Sequence, residues 1–345
     1  MDSFALGYLS KKNSDKECKF KVKVNVNLWM QCGWKLKEPV LDLGFMLYNL
    51  RDVEKLYIYI PFELEKTEFI DLCETVAKER NLLGAIFNEP YLPESCLMPK
   101  RTKIEYSSKK PHIKNTGDVP FYLYALDSQN DLNFEKFQGQ KSESVGTFIT
   151  INAESIVGDD SDPNVSNYYI RFRLKTPKLS GLVRQYHRPN RCLESFVNAI
   201  NMAEFRFNNT RSMDHSLVEK LTDRDGVKLA PISSLHFLLM THASVDVDCF
   251  PFKSSRVIEK NIWNDYVQAI SDGKEPEDIV AYHAKFAGKD NETIDSIEVF
   301  TKIKIAKSEK IAFVIYFLIG FLIASLYEVG YEVGLEYLIR CWYGQ

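Results

Sequence analysis

The first 180 residues alternate between hydrophobic and polar positions with the period expected of β-strands. The stretch CKFKVKVNVNLWM (18–30) places every second side chain on one apolar face: Phe20, Val22, Val24, Val26 and Leu28. A half-buried strand has this period of two. Similar patterns occur at 53–62, 121–126, 145–151 and 168–175, and a helical pattern covers 66–78. Because strands outnumber helices, residues 1–180 are predicted to form a mostly antiparallel β unit.

A basic stretch without any acid begins at the end of the last of these strands. Residues 171–191 read RFRLKTPKLSGLVRQYHRPNR and contain seven Lys or Arg. Strand alternation predicts that Arg171, Arg173 and Lys175 point away from the core, about 6.6 Å apart. Four further cations of the basic stretch extend this line: Lys178, Arg184, Arg188 and Arg191. The flat side chains of Tyr186 and His187 lie between them.

A second polar cluster follows in EFRFNNTR (204–211). A helix capped by Asn190 and packed through residues 193–207 is expected to lead into it. The cluster contributes two guanidiniums and two amides: Arg206, Asn208, Asn209 and Arg211. Guanidiniums suit phosphate oxygens, and cations interleaved with aromatics suit single-stranded nucleic acid. The alternative is an ordinary solvated face, on which the arginines pair with nearby acids such as Asp214 and Glu219.

The chain between the polar clusters and the last segment carries helical spacing of apolar positions. One helix is predicted from Ser254 or Ser255 to about Ser271, and a second from Pro276 to about Ala287. Residues 292–310 then join this helical unit to the final segment. The sequence therefore predicts a helical connector over 251–310.

The final segment is predicted to cross a membrane. Residues 311–327 contain no charge, and 17 residues of helix extend about 26 Å against a hydrocarbon core of roughly 30 Å. Four lysines precede the segment: Lys302, Lys304, Lys307 and Lys310. The positive-inside rule then places the preceding domain in the cytoplasm. The alternative is a buried core helix.

The hydrophobic segment ends in a ladder of carboxylates, Glu328, Glu332 and Glu336. If the helix continues, these residues form one polar stripe, while Gly330 and Gly334 lie on the opposite side. Three arrangements accommodate the stripe. Copies can pack through the glycines and turn the glutamates toward a shared lumen. The span can instead end at 327 with the remainder lying flat at the interface, or the stripe can pair with a basic partner subunit.

Composition narrows the function further. A net charge of -3 and a pI near 6.1 give no global basic or acidic character, so any charged site is local. Seven cysteines without a C-x-x-C pattern suggest reduced thiols in the cytoplasm. The chain contains no H-E-x-x-H, G-x-S-x-G or Walker motif, and the expectation is a protein without catalysis, cofactor or metal.

The predicted fold class is α+β. A cytosolic α+β ligand-binding domain covers 1–250, with a mostly antiparallel β part over 1–180 and a helix-containing part over 181–250. The helical connector covers 251–310, and a transmembrane helix that forms a pore or an anchor covers 311–345. This layout, from RFRLKTPKLSGLVRQYHRPNR and EFRFNNTR to IAFVIYFLIGFLIASLYEV, resembles bacterial antiphage membrane effectors, in particular the effector of Hailong defence. The resemblance is one of layout and matches no binding residue of that family to a position here.

The resemblance implies a function and partners. In the Hailong family a clamp domain holds deoxyadenylate oligomers made by a partner nucleotidyltransferase, and a C-terminal domain oligomerises into an ion channel. The expectations are a nucleotide or single-stranded DNA oligomer as ligand, a homo-oligomer such as a tetramer, and a bacterial inner-membrane location. The ligand is implied to silence the channel. A membrane-anchored nucleic-acid-binding or scaffold protein without channel activity is the alternative.

Overall fold

The chain alternates strands with short helices up to residue 306 and then forms one long helix. The computed structural model describes residues 3–11, 18–30, 38–87, 91–93, 100–106, 120–140, 145–158, 162–186, 198–222, 226–248, 251–268, 278–289, 292–306 and 309–343. The strands are β1 Ala5–Ser10, β2 Lys21–Trp29, β3 Val40–Tyr48, β4 Val53–Ile60, β5 Phe69–Asp71, β6 Tyr91–Pro93, β7 Arg101–Tyr106, β8 Phe121–Tyr124, β9 Leu132–Gln138, β10 Val145–Asn152, β11 Asn167–Leu174, β12 Val183–Tyr186, β13 Asn198–Phe207, β14 Val227–Leu229, β15 Ile232–His242, β16 Val245–Val247, β17 Ser254–Val257, β18 Ile279–Ala287 and β19 Ile297–Ala306. The helices are α1 Cys73–Lys78, α2 Arg80–Phe87, α3 Ala153–Val157, α4 His215–Thr222, α5 Lys260–Gln268 and α6 Glu309–Tyr343.

The strands form three sheets. The largest has ten strands in the order β17-β18-β15-β2-β3-β11-β8-β7-β6, with β5 added beside β11. A five-stranded sheet has the order β14-β1-β4-β10-β9, and a four-stranded sheet the order β12-β13-β19-β16. Most pairs are antiparallel, while β15 with β2 and β11 with β8 are parallel. The predicted α+β class, with mostly antiparallel sheets before the last helix, is confirmed.

The ten-stranded sheet is covered on both faces along part of its width. On one face, apolar residues of β2, β3, β11 and β15 join those of the two smaller sheets in one large core. On the other face, a second cluster packs the ends of β2, β15 and β18 against α1, α2 and α5. The aromatic rings of Trp29, Trp263 and Tyr266 meet in this second cluster. The remaining part of the second face is not covered in this way, and it carries polar side chains.

All five predicted strands lie where the alternation placed them, as β2, β4, β8, β10 and β11. β2 shows the reason most clearly, because Val22, Val24 and Val26 are fully buried while the intervening residues are not. The predicted helix over 66–78 is correct only in its second half, α1. Before it, the chain makes a short 3-10 turn and β5, which pairs with β11.

The helix predicted to end at Phe207 is wrong within the described residues. The part from 198 onward is the strand β13, which pairs with β19 over its whole length. Its buried residues follow a period of two: Asn201, Ala203, Phe205 and Phe207. That period belongs to a strand with one covered face, and the helical spacing drawn from residues further upstream obscured it.

The helical connector over 251–310 is also wrong. This region contains α5, but it also contributes β17 and β18 to the ten-stranded sheet and β19 to the four-stranded sheet. β18 misled the prediction because Ala281 and Ala284 are both buried, one in each core cluster. A strand covered on both faces loses the alternation that identifies it. The connector is therefore part of the β structure.

The membrane-spanning helix predicted from residue 311 corresponds to α6. The helix is continuous from Glu309 to Tyr343 and passes Tyr327 without interruption. Within its segment Phe313–Tyr343, the most apolar 18-residue window has a mean hydropathy of 2.0, and none of that window is buried against the rest of the chain. A buried core helix is thereby excluded for this segment, and α6 is a candidate single membrane span.

Candidate ligand-binding cavity

Two arginines of the predicted cation line are buried, which corrects the expectation that they face solvent. Arg171 is 1% exposed and Arg173 is fully buried. Both lie on the face of β11 opposite the large core, as the alternation predicts, but α5 covers that face. Arg173 donates from Nε and Nη2 to the two carboxylate oxygens of Asp42, at 2.6 and 3.0 Å. Arg173 is therefore a structural residue.

The other cations of this line do not continue it in space. Lys175 is exposed beyond the end of β11. Lys178 donates from Nζ to the carbonyl oxygen of Glu63 at 2.7 Å. Arg184 and Tyr186 are exposed on β12, which belongs to the four-stranded sheet. The remaining three residues, His187, Arg188 and Arg191, lie outside the described residues.

The EFRFNNTR cluster is largely occupied by internal contacts. Arg206 pairs with Glu204, its neighbour on the same face of β13, and with Glu298 of β19 at 3.3 Å, rather than with the acids predicted. Asn208 is buried, accepts from the backbone of Leu6 and donates to the carbonyl of Ala230. Asn208 has a positive φ of 52°, and its hydrogen bonds tie β1 to the ends of β13 and β14. Asn209 contacts Glu298 at 3.5 Å, and Arg211 is exposed.

A cavity on the open part of the ten-stranded sheet is a better candidate site. It has a volume of about 1050 Å³ and is lined by β2, β15, β17 and β18, with α2 and α5 at its sides. Five cationic side chains line it: Lys21, Lys23, Arg171, Arg256 and Lys285. Among the described residues no Asp or Glu lines it. Such a one-sign cavity raises the local concentration of anions.

Strand register brings these side chains together. Residues Lys21, Lys23, Asn25 and Asn27 occupy the face of β2 opposite its buried valines. In the parallel pair with β15, Asn25 lies beside His236, and in the next pair His236 lies beside Lys285. Cations and amides from three strands are thus placed on one surface. The spacing between neighbouring strands is about 4.8 Å, which suits contacts to one bound molecule.

A pair of histidines lies in the middle of this surface. His236 Nδ1 and His283 Nε2 are 3.1 Å apart, and the two rings are stacked. Burial and then the charge of Lys23, with smaller effects of His283 and Lys285, lower the pKa of His236 to about 3. Burial also lowers the pKa of His283, as do Lys285 and Arg256. Both rings are therefore neutral at pH 7, and one donates its hydrogen to the other.

The inner wall of the cavity is formed by Arg171 and its partners. Arg171 donates from Nε to the Tyr266 hydroxyl at 2.8 Å and from Nη1 to the Tyr169 hydroxyl at 3.0 Å. With the Asn27 amide oriented to satisfy both of its groups, its oxygen accepts from Arg171 Nη2 at 2.8 Å. These contacts fix the guanidinium in one position. Gly44 makes them possible, since a Cβ there would lie 2.2 Å from the Tyr169 hydroxyl oxygen.

Of the predicted binding residues, only Arg171 lines this cavity. The polar face of β2 was the missed signal, because a strand reading K-V-K-V-N-V-N carries two lysines and two amides opposite its valines. The contributions of Arg256, His283 and Lys285 could not be found, because their region was predicted to be helical. Their positions depend on β18 pairing with β15 and β17.

The carboxylates and glycines of the last segment lie on α6 as predicted. Glu328, Glu332 and Glu336 are exposed in the single chain. A Cβ added to Gly330 or Gly334 would meet no heavy atom within 4 Å. The polar stripe and the small-residue face of α6 are thus both open in one copy of the chain.

Comparisons with known proteins identify no family. No protein-family model matches the chain, and no curated protein matches it. Among solved structures, native yeast LTA4 hydrolase aligns with a TM-score of 0.32 and 8% identity. The alignment covers 84% of this chain, which spans 29% of the hydrolase chain. A similarity of this size carries no argument about fold or function.

Proposed function

We propose that this protein is a membrane-anchored receptor for a phosphate-bearing ligand, either a nucleotide or a short single-stranded oligonucleotide. The observation that carries the proposal is the cavity lined by five cations and, among the described residues, by no carboxylate. Its volume of about 1050 Å³ exceeds what a single phosphate group occupies. Asn25, Phe87 and the serines of β15 and β17 add hydrogen-bonding and ring surfaces for sugars and bases.

The receptor is anchored through α6, and we propose that copies of α6 assemble into a cation-conducting pore. The exposed glutamate stripe supports this part, since carboxylates at membrane depth are costly unless they face water or protein. Lysines before α6 favour a cytoplasmic position for the ligand-binding part, at the bacterial inner membrane. The antiphage role and a partner nucleotidyltransferase follow only from the resemblance in layout. An anchored binding protein without a pore is the alternative.

Binding of a fluorescent single-stranded oligonucleotide to the full chain in detergent tests the receptor. We expect affinity to fall with salt, with a slope of about -0.7 in log K against log salt for each phosphate contact. Lys23→Ser should weaken binding about tenfold, which is ~1.4 kcal/mol for one charge-assisted contact.

Lys175→Ser is the matched control, since Lys175 is an exposed lysine outside the cavity. It should leave the affinity unchanged. Equal losses in the two variants would show that binding is not located in the cavity. Absence of binding to the oligonucleotide and to nucleoside mono-, di- and triphosphates would refute the receptor proposal.

A further inference from the structure

The inner end of the cavity contains a buried donor that the protein itself does not use. Trp263 lines the cavity and is 2% exposed, and its indole Nε1 is buried without a hydrogen-bond partner among the described residues. Buried donors in native proteins are nearly always paired, so an unpaired one calls for an explanation. Because an indole N–H can only donate, its missing partner is an acceptor.

Charge at the same end is also unbalanced. Two buried guanidiniums share the carboxylate of Asp42, which lies 2.6 Å from Arg173 Nε but 3.9 Å from Arg171 Nη2. The carboxylate is nearer to Arg173, and its single negative charge cannot balance both guanidiniums. Arg171, which lines the cavity, keeps a positive charge that Tyr169, Tyr266 and an amide contact without neutralising. A buried cation of this kind is stabilised by an anion.

We propose that Trp263 and Arg171 form an oxyanion subsite at the inner end of the cavity, separate from the lysines at its outer end. The inference rests on the proposed receptor function and specifies its ligand. Lys23 and Asn27 are four positions apart on β2, about 13 Å along the strand, which is too far for one phosphate to reach both ends. The ligand therefore carries at least two separated phosphates.

The sheet between the two ends carries the neutral rings of His236 and His283, and the inner end is lined by apolar side chains. These are Ile86, Phe87, Leu238 and Ala281. Such a surface suits the sugar and base that join two phosphates of a nucleic acid, whereas a free polyphosphate would leave it uncovered. The ligand class is thus a nucleoside phosphorylated at both ends, of which a 5′-phosphorylated dinucleotide is the smallest oligonucleotide example.

The test compares 5′-phosphorylated dithymidine with thymidine 5′-monophosphate, titrated calorimetrically into the full chain in detergent. Thymine stacks weakly, so the phosphates dominate the comparison. The dinucleotide should bind at least about tenfold more tightly than the monophosphate, as one additional charge-assisted contact provides. Trp263→Phe, which removes the donor and keeps a ring, should weaken dinucleotide binding about 5- to 20-fold.

Two controls make the outcome specific. Trp342→Phe makes the same substitution at an exposed position of α6 and should change nothing. Lys21→Ser should weaken dinucleotide binding, and its effect should multiply with that of Trp263→Phe, because distant subsites act independently. For the monophosphate, which occupies one subsite, only one of the two substitutions should matter.

The outcomes separate this inference from the receptor proposal. Native dinucleotide affinity in Trp263→Phe together with a loss in Lys21→Ser would overturn the inner subsite and leave the receptor intact. Equal affinity of native protein for the two probes would also overturn it. Trp263→Phe leaves no partner unpaired but removes part of a buried ring, so without ligand it should melt in one cooperative transition at a lower temperature than the native protein. A folded variant is thereby distinguished from a misfolded one.

Discussion

Asp42 is the residue on which both buried arginines depend. Burial alone would raise the pKa of its carboxyl, but the charge and hydrogen bonds of Arg173, with the charge of Arg171, hold that pKa below its ordinary value. Trp29 and Tyr266 also donate to it, at 2.7 and 2.8 Å. The carboxylate therefore joins β2, β3, β11 and α5 at one point.

Asp42→Asn should strongly destabilise the protein, because it leaves two guanidiniums buried without a countercharge. We expect a loss of about 3–5 kcal/mol in the free energy of unfolding at pH 7, measured by denaturant titration in detergent. Glu74→Gln is the control, since it breaks the exposed ion pair with Lys78 and should cost under about 0.5 kcal/mol. Similar losses in both variants would contradict a structural role for Asp42.

Acid should destabilise the protein through His236. Its pKa is lowered from 6.5 to about 3 in the folded protein, so only the unfolded chain takes up the proton between these values. Stability is then complete above pH 6.5 and declines as pH falls toward 3. Lys23, Lys285 and His283 face the ring and oppose its charge.

His236→Gln should remove this part of the acid sensitivity. The melting temperature of the native protein relative to the variant should fall between pH 6.5 and pH 5, before most carboxylates titrate. His242→Gln at the end of β15 serves as the control, since His242 contacts Ser244 at the outside of the sheet. An unchanged pH dependence in His236→Gln would show that the ring carries no such effect.

Arg171 also shows what could and could not be predicted at the scale of residues. Alternation along β11 correctly separates Arg171 and Arg173 from Ile170 and Phe172. It does not reveal whether the second face is open or covered. That depends on α5, a helix almost one hundred positions later in the chain, whose Tyr266 contacts both guanidiniums.

At the scale of elements, prediction succeeded where hydrophobic and polar residues alternate along the sequence. β2 and β11 alternate in this way and were found, although both faces of β11 are buried. β18, buried on two faces, and β13, preceded by helix-like spacing, were predicted as helices. The cavity was missed for the same reason, because one of its walls is β18. α6 was found because a long uncharged run identifies a candidate membrane span without tertiary context.

At the scale of the whole molecule, α6 is longer than a membrane requires. The segment Phe313–Tyr343 has 31 residues, or about 46 Å of helix, against a hydrocarbon core of roughly 30 Å. If the core begins at Phe313, Glu328 lies about 22 Å into it and Glu332 lies about 28 Å into it, near the far boundary. Glu336 then lies beyond it. Glu328 is the carboxylate that most needs water or a partner.

Gly334→Leu should dissociate the protein into single chains. Within a single chain, a Cβ at position 334 would meet no heavy atom within 4 Å. Replacing glycine by leucine also favours the helix by up to about 1 kcal/mol. The substitution therefore harms only a contact between helices of different copies. Sedimentation in detergent should show an oligomer for the native chain and a monomer for the variant. Leu338→Met, which conserves volume, should remain oligomeric.

Glutamate substitutions then test whether the oligomer surrounds a pore. Each glutamate repeats around the assembly, so Glu328→Lys changes a whole ring of charge and should reverse or abolish cation preference in vesicle flux, with Glu328→Gln intermediate. Membrane insertion should persist in both variants. If the helix instead lies flat beyond Tyr327, lysine there would strengthen attachment to anionic lipid. Normal selectivity after Lys replaces Glu328, Glu332 and Glu336 in turn would exclude the pore and leave α6 as an anchor, because no ring of carboxylates would then control the passage of ions.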